Sequence, residues 1–191
     1  EPDWSKGYYS SSFNDQFVTK KPNGDVLVTF KARDGRAEGS QSYTKTEGGV
    51  QVRYEFKWNG DQPVKVELNS GLLWARALAT GSLKVDAVRI VNLGRATYAS
   101  TDDPVERTYG TGQDFTFDSA VGSLEVKATG LPFAVFDARG YAQPWANGRD
   151  LFWFGAMGID LLPGKTVEAS LDFKFKPANT TRRTEHRAVK A

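Results

Sequence analysis

The chain has 191 residues, a formal charge of +2, one histidine and no cysteine. Disulfides and thiolate metal sites are excluded, and no apolar run approaches the roughly 20 residues of a membrane-spanning helix. The length suits one large domain with a single core, and near-neutral charge with 13% aromatic residues argues against a nucleic-acid partner.

Residues 1–24 are polar and aromatic, with Trp4, Tyr8, Tyr9, Phe13 and Phe17 among Ser, Asn and Lys. The start, Glu1-Pro2-Asp3-Trp4, is neither basic nor apolar, so no signal peptide is read there. Residues 17–21 predict a first strand, ended by Pro22-Asn23-Gly24. Val26, Val28 and Phe30 then alternate with Leu27, Thr29 and Lys31, up to Asp34-Gly35. Residues 40–46 form a polar strand candidate, followed by a Gly48-Gly49 hairpin turn. In residues 50–58, Val52, Tyr54, Phe56 and Trp58 share one face, with Gln51, Arg53, Glu55 and Lys57 on the other. A further strand is predicted over residues 64–68.

Residues 72–79, rich in Leu and Ala, are the one plausible helical turn. Strands resume over residues 83–86, 88–93, 115–117, 124–128 and 133–136. Residues 97–112 are polar and rich in turn formers, which predicts a long loop. Residues 151–157 are apolar on both faces, as in a strand buried between two layers. The clearest signal comes last. From residue 166 to 176, Val167, Ala169, Leu171, Phe173 and Phe175 alternate with polar or charged residues. A period of two over this length is a strand with one dry and one wet face.

About a dozen short strands and almost no helix predict an all-β antiparallel two-sheet β-sandwich, of jelly-roll or supersandwich type. Residues 1–176 are expected to be one domain. Residues 177–191 read as a basic tail or linker, with Arg182, Arg183, Arg187 and Lys190 against Glu185. The bland reading of that tail is a solvated segment, so neither a nucleic-acid nor a membrane partner is expected.

The single histidine, His186, falls in the tail. A Ser/His/Asp triad needs a positioned imidazole, and catalytic zinc draws on several histidines. The N-terminal histidine of copper-dependent polysaccharide monooxygenases is missing, and so is the histidine–carboxylate pair of mutarotase-like sandwiches. Glycosidase chemistry needs only two acids, but Glu55, Glu125 and Glu168 fall on polar strand faces beside lysines, where solvated ion pairs are expected. No cofactor is expected. Asp102-Asp103, with Asp114 and Asp118, could supply oxygen ligands for calcium, though their spacing matches no EF-hand loop.

Of the five tryptophans, Trp58, Trp74 and Trp153 sit in apolar runs and predict core. Trp145 differs, because Tyr141-Ala142-Gln143-Pro144-Trp145-Ala146-Asn147-Gly148-Arg149-Asp150 reads as a connection. A flat indole there can stack on a sugar ring, while Tyr141, Gln143, Asn147, Arg149 and Asp150 meet its hydroxyls. Trp4, beside Tyr8 and Tyr9, is a second candidate.

The strand over residues 50–58, Asn59-Gly60, the strand over 64–68 and residues 72–79 running into Gly81-Ser82-Leu83-Lys84-Val85 form a suggestive order with Gly158-Ile159-Asp160-Leu161-Leu162-Pro163-Gly164-Lys165 before the last strand. Across residues 40–176 this order resembles the β-sandwich accessory domains of bacterial polysaccharide-degrading enzymes, of the supersandwich or carbohydrate-binding-module kind. The resemblance implies a secreted, extracellular or periplasmic domain that binds a polysaccharide or oligosaccharide without catalysing, with a catalytic domain in the same parent chain as a partner. Two alternatives stay open. One is a carboxylate- or Tyr/Lys-dependent glycoside hydrolase or polysaccharide lyase; the other is a purely structural accessory domain.

Overall fold

The computed structural model of the chain describes residues 14–69, 73–74, 81–93, 108–137 and 151–178. In chain order the strands are β1 (Asn14–Lys20), β2 (Val26–Ala32), β3 (Ala37–Thr46), β4 (Gly49–Trp58) and β5 (Val64–Asn69). Then come β6 (Leu73–Trp74), β7 (Ser82–Val85), β8 (Arg89–Asn92), β9 (Thr108–Gly112) and β10 (Asp114–Ser119). β11 (Gly122–Thr129), β12 (Phe133–Asp137), β13 (Leu151–Leu161) and β14 (Thr166–Pro177) complete the series.

Nine of these strands form one antiparallel sheet in the order β1-β2-β3-β4-β14-β11-β10-β7-β8. The smaller sheet runs β5-β13-β12-β9, and β6 continues the β5 edge along β13. Alternation decides which faces meet. In β4, Val52, Tyr54, Phe56 and Trp58 are buried while Arg53 and Glu55 face solvent. β11 and β14 repeat the pattern with Leu124, Val126 and Ala128, and with Ala169 and Leu171. This dry face packs on Phe133 and Val135 of β12 and on Phe152, Phe154 and Ala156 of β13.

Phenylalanine dominates the join between layers. The fully buried Phe154 ring stands edge-on to Phe115 at 5.1 Å and to Phe173 at 5.6 Å, and Phe117 meets Phe152 at 5.6 Å. Edge-to-face pairs of this kind add to the ~1.5–3 kcal/mol that burying each ring contributes. Trp58 is buried as expected, with its indole N–H donating to the Gln62 carbonyl at 2.7 Å.

Three expectations are corrected. Within residues 72–79, Leu73 and Trp74 are extended and pair with Phe152 and Leu151, so the described part is strand rather than helix. A short apolar run carries no period of its own, and the partner strand decides it. Within the expected loop 97–112, Thr108–Gly112 is strand β9, paired with β12. Its alternation is hidden because Gly110 takes a φ of +109° and the register shifts between Ala134 and Phe136. β13 also runs beyond residue 157, through a register shift at left-handed Gly158 (φ +67°), and Met157 there is half-exposed rather than enclosed.

Candidate functional site

The smaller sheet has one end at which the chain repeatedly leaves it. β12 ends at Asp137 and β13 begins at Leu151, with Asp137 cross-strand from Phe152. β9 begins at Thr108, paired with Phe136 in the same region. β6 ends at Trp74, which pairs with Leu151. Residues 75–80, 94–107 and 138–150 therefore all join the smaller sheet at this one end.

The predicted contact residues Tyr141, Gln143, Trp145, Asn147, Arg149 and Asp150 belong to the β12–β13 connection and lie outside the described residues, as does Trp4. What the structure places are the two ends of that connection, side by side in adjacent strands.

Several residues at this end escaped the sequence reading. Asp137 is 1% exposed, and its carboxylate accepts a 2.5 Å hydrogen bond from the Tyr109 hydroxyl. By strand alternation Asp137 shares the core-facing side with Phe133 and Val135, and Tyr109 packs against that core. The bond ties the start of β9 to the end of β12. On the opposite side of the sheet, Thr108, Thr111, Pro132, Ala134, Gly155 and Met157 line a groove of about 200 Å³. Its floor is the Ala134–Gly155 pair, where small residues leave room between strands. An acid closing an apolar strand (Phe133-Ala134-Val135-Phe136-Asp137) was the one available sequence signal for this region.

The larger sheet reaches the same end. Phe117, which packs on Phe152, is cross-strand from Leu124, and Leu124 from Phe175. Phe175 and Val50 remain about two-fifths exposed on this core-facing side. Tyr43 lies one strand further out, and partial burial pushes its phenol pKa up.

The outer face of the larger sheet carries the carboxylates weighed for catalysis. Arg53 and Glu168 pair at 2.5 Å, Gln51 donates to Asp172 at 2.7 Å, and Lys176 bonds Glu125. A cleft of about 280 Å³ opens among Gln51, Arg53, Thr129, Gly130, Glu168 and Ser170, and in it Arg53 bonds Glu168 while Gln51 is held by Asp172. The Asn59 amide and Lys57 ammonium beside Glu38 hold its carboxyl below the usual range. These are exposed ion pairs of small individual worth. Among the described residues, no group of three or more His, Cys, Asp or Glu side chains could hold a metal ion. Asp118 of the calcium candidates is engaged by Ser123 and Lys84, while Asp102 and Asp103 lie outside the described residues.

No family model matches the chain, and no curated protein matches it. Solved structures do. A candidate aldose 1-epimerase from Escherichia coli K12 superimposes with a TM-score of 0.54 at 11% identity, over 86% of this chain and 69% of that one. The chain is similar in fold to that sandwich. A galactose mutarotase-like protein from Lactobacillus casei gives 0.48 at 10% identity, over 85% of this chain and 73% of that one. A polysaccharide lyase gives 0.42 at 14% identity, over 85% of this chain and 23% of that one. The chain thus spans about seven-tenths of the length of the first two proteins and a quarter of the lyase.

Proposed function

We propose that this chain is a noncatalytic carbohydrate-binding β-sandwich domain that meets a polysaccharide or oligosaccharide at the end of its smaller sheet. One observation carries the reading. The segment holding Tyr141, Gln143, Trp145, Asn147, Arg149 and Asp150 is the direct β12–β13 connection, and it joins the sheet beside the Thr108 groove. An aromatic with amide and charged neighbours, carried by rigid strand ends, has the composition of a sugar subsite. Trp4 is a second contact candidate.

The fold likeness to a candidate sugar epimerase supports a carbohydrate ligand. The sequence supports the noncatalytic part, because its one histidine, His186, lies in the basic tail and the strand-face carboxylates Glu125 and Glu168 are engaged with Lys176 and Arg53. Asp137 is the acid that would favour an enzyme, but at 1% exposure and bonded to Tyr109 it is placed to position rather than to touch substrate. In this reading the domain works in a secreted, extracellular or periplasmic setting, beside a catalytic domain of the same parent chain.

Calorimetry of the purified chain against a panel of plant and microbial glycans tests the proposal. Trp145→Ala is expected to weaken binding at least tenfold while the unfolding midpoint stays within a degree or two. Unchanged affinity would move the site elsewhere. Turnover of any glycan would replace the module by an enzyme.

A further inference from the structure

Among the described residues, the outer backbone groups of β1 have no strand partner. Both sheets have edges, and three of the four are blunted in ways that discourage strand addition. β8 is only four residues long. β5 follows Pro63, carries Lys65 and Glu67, and its pairing with β13 is interrupted by a register shift. β9 is bent at Gly110 and also shifts register. β1 carries charges of its own, Asp15 and Lys20, but it is neither short nor bent nor interrupted. It pairs with β2 over seven consecutive residues without a shift, and among the described residues it has no other strand partner. Residues 15–20 are exposed on both faces, and Phe17 and Val18 are each 65% accessible.

We infer that β1 pairs antiparallel with β1 of a second copy, joining two nine-stranded sheets across a two-fold axis at Val18. The axis must stand normal to the sheet, since that operation reverses strand direction while keeping both core-facing sides together. Only residues of like parity can then face each other. Centring on Val18 sets Asp15 opposite Lys21, Gln16 opposite Lys20 and Phe17 opposite Thr19, each twice. Opposite charges meet and no like charges do. Centring on Phe17 instead sets Asp15 against Thr19 and Asn14 against Lys20, which forfeits the ion pairs. Arg33 already holds Asp15 at 3.1 Å, so its carboxylate sits in place on the edge.

The apolar side chains agree with the same register. Val18 is cross-strand from Val28. The join therefore builds an unbroken row of four valines, two from each copy, where one copy alone leaves Val18 open. Seven residues of ladder form a small interface, so the association is expected to be weak and concentration-dependent.

Sedimentation equilibrium of the full chain over a dilution series reads this directly. The mass is expected to approach that of two chains when concentrated and one when dilute. Val18→Lys places two ammonium groups across the axis and should weaken dimerisation at least tenfold, with the circular dichroism spectrum unchanged. Val18→Thr should dimerise as the parent does. Because the chain has no cysteine, Val18→Cys provides one thiol that faces itself, and an intermolecular disulfide is expected on mild oxidation. Val88→Cys, at an 89% exposed position on the β7–β8 turn, should not crosslink comparably. A chain monomeric at every concentration overturns the inference. So does a dimer that Val18→Lys leaves intact, or a monomer that adds only foreign strand peptides at β1.

Discussion

At Gly39 the absence of a side chain is a packing requirement. Gly39 lies between Phe30 and Phe56 in the ladder, and those rings approach to 5.9 Å. A Cβ at this position would fall 2.4 Å from the Glu55 carbonyl oxygen and 2.7 Å from the Phe30 ring. The glycine therefore lets Phe30 fold across β3 and extend the core beyond β4. Gly39→Val adds a good strand former in the wrong place, and is expected to cost about 1–3 kcal/mol through overpacking. Urea denaturation measures this, and a midpoint at or above the parent's would refute the account. Residue-level features of this kind were poorly legible beforehand. The sequence predicts the strand from residue 40, whereas it starts at Ala37, because Glu38-Gly39 carries no apolar signal. Asp137 and Tyr109 were missed for a related reason: their bond joins residues 28 apart in sequence, and no local pattern announces it.

Strands show their logic on the wet face as well as the dry one. Asp118 of β10 is flanked by β7 and β11, where Lys84 approaches to 3.0 Å and the Ser123 hydroxyl donates to it. The Ser123 hydrogen bond, then Lys84, holds the Asp118 carboxyl below its ordinary value of 3.8. A carboxyl depressed in the folded state stabilises the fold above the unfolded value, and that contribution disappears as pH falls through the folded value. The group is more than a third exposed, so solvent screening keeps the effect under ~1 kcal/mol. Ser123→Ala is expected to raise the Asp118 pKa toward 3.8, read by carboxyl ¹³C NMR titration, and to lessen the part of acid destabilisation due to this group. A pKa that stays put would mean that Lys84 alone sets it. Element existence was legible wherever alternation was strict, as in β4, β11 and β14. It failed at β6, too short for a period, and at β9, where a glycine and a register shift break the pattern.

At the scale of the whole molecule, two layers were readable from strand count and alternation, but the assignment of strands to sheets was not. β14 lies between β4 and β11, and β13 between β5 and β12, so the sheets are stitched by pairings distant in sequence. The candidate site shares this dependence, because its strand ends are neighbours only once β9, β12 and β13 have paired. Phe154 is where the layers lock. Its buried ring reaches Phe115 and Phe117 of β10 and Phe173 of β14. Phe154→Ala removes ring contacts to two strands of the opposite sheet, and the expected loss is about 3–5 kcal/mol. Phe17→Ala, the same chemical change at a 65% exposed edge position, should alter monomer stability by no more than about 0.5 kcal/mol. The comparison is best made by urea unfolding at low protein concentration, where association at β1 contributes least. Comparable losses for the two variants would mean that stability does not reside in the packing between the sheets; a wide gap would locate it there, in the same layer that holds the ends of the β12–β13 connection in place.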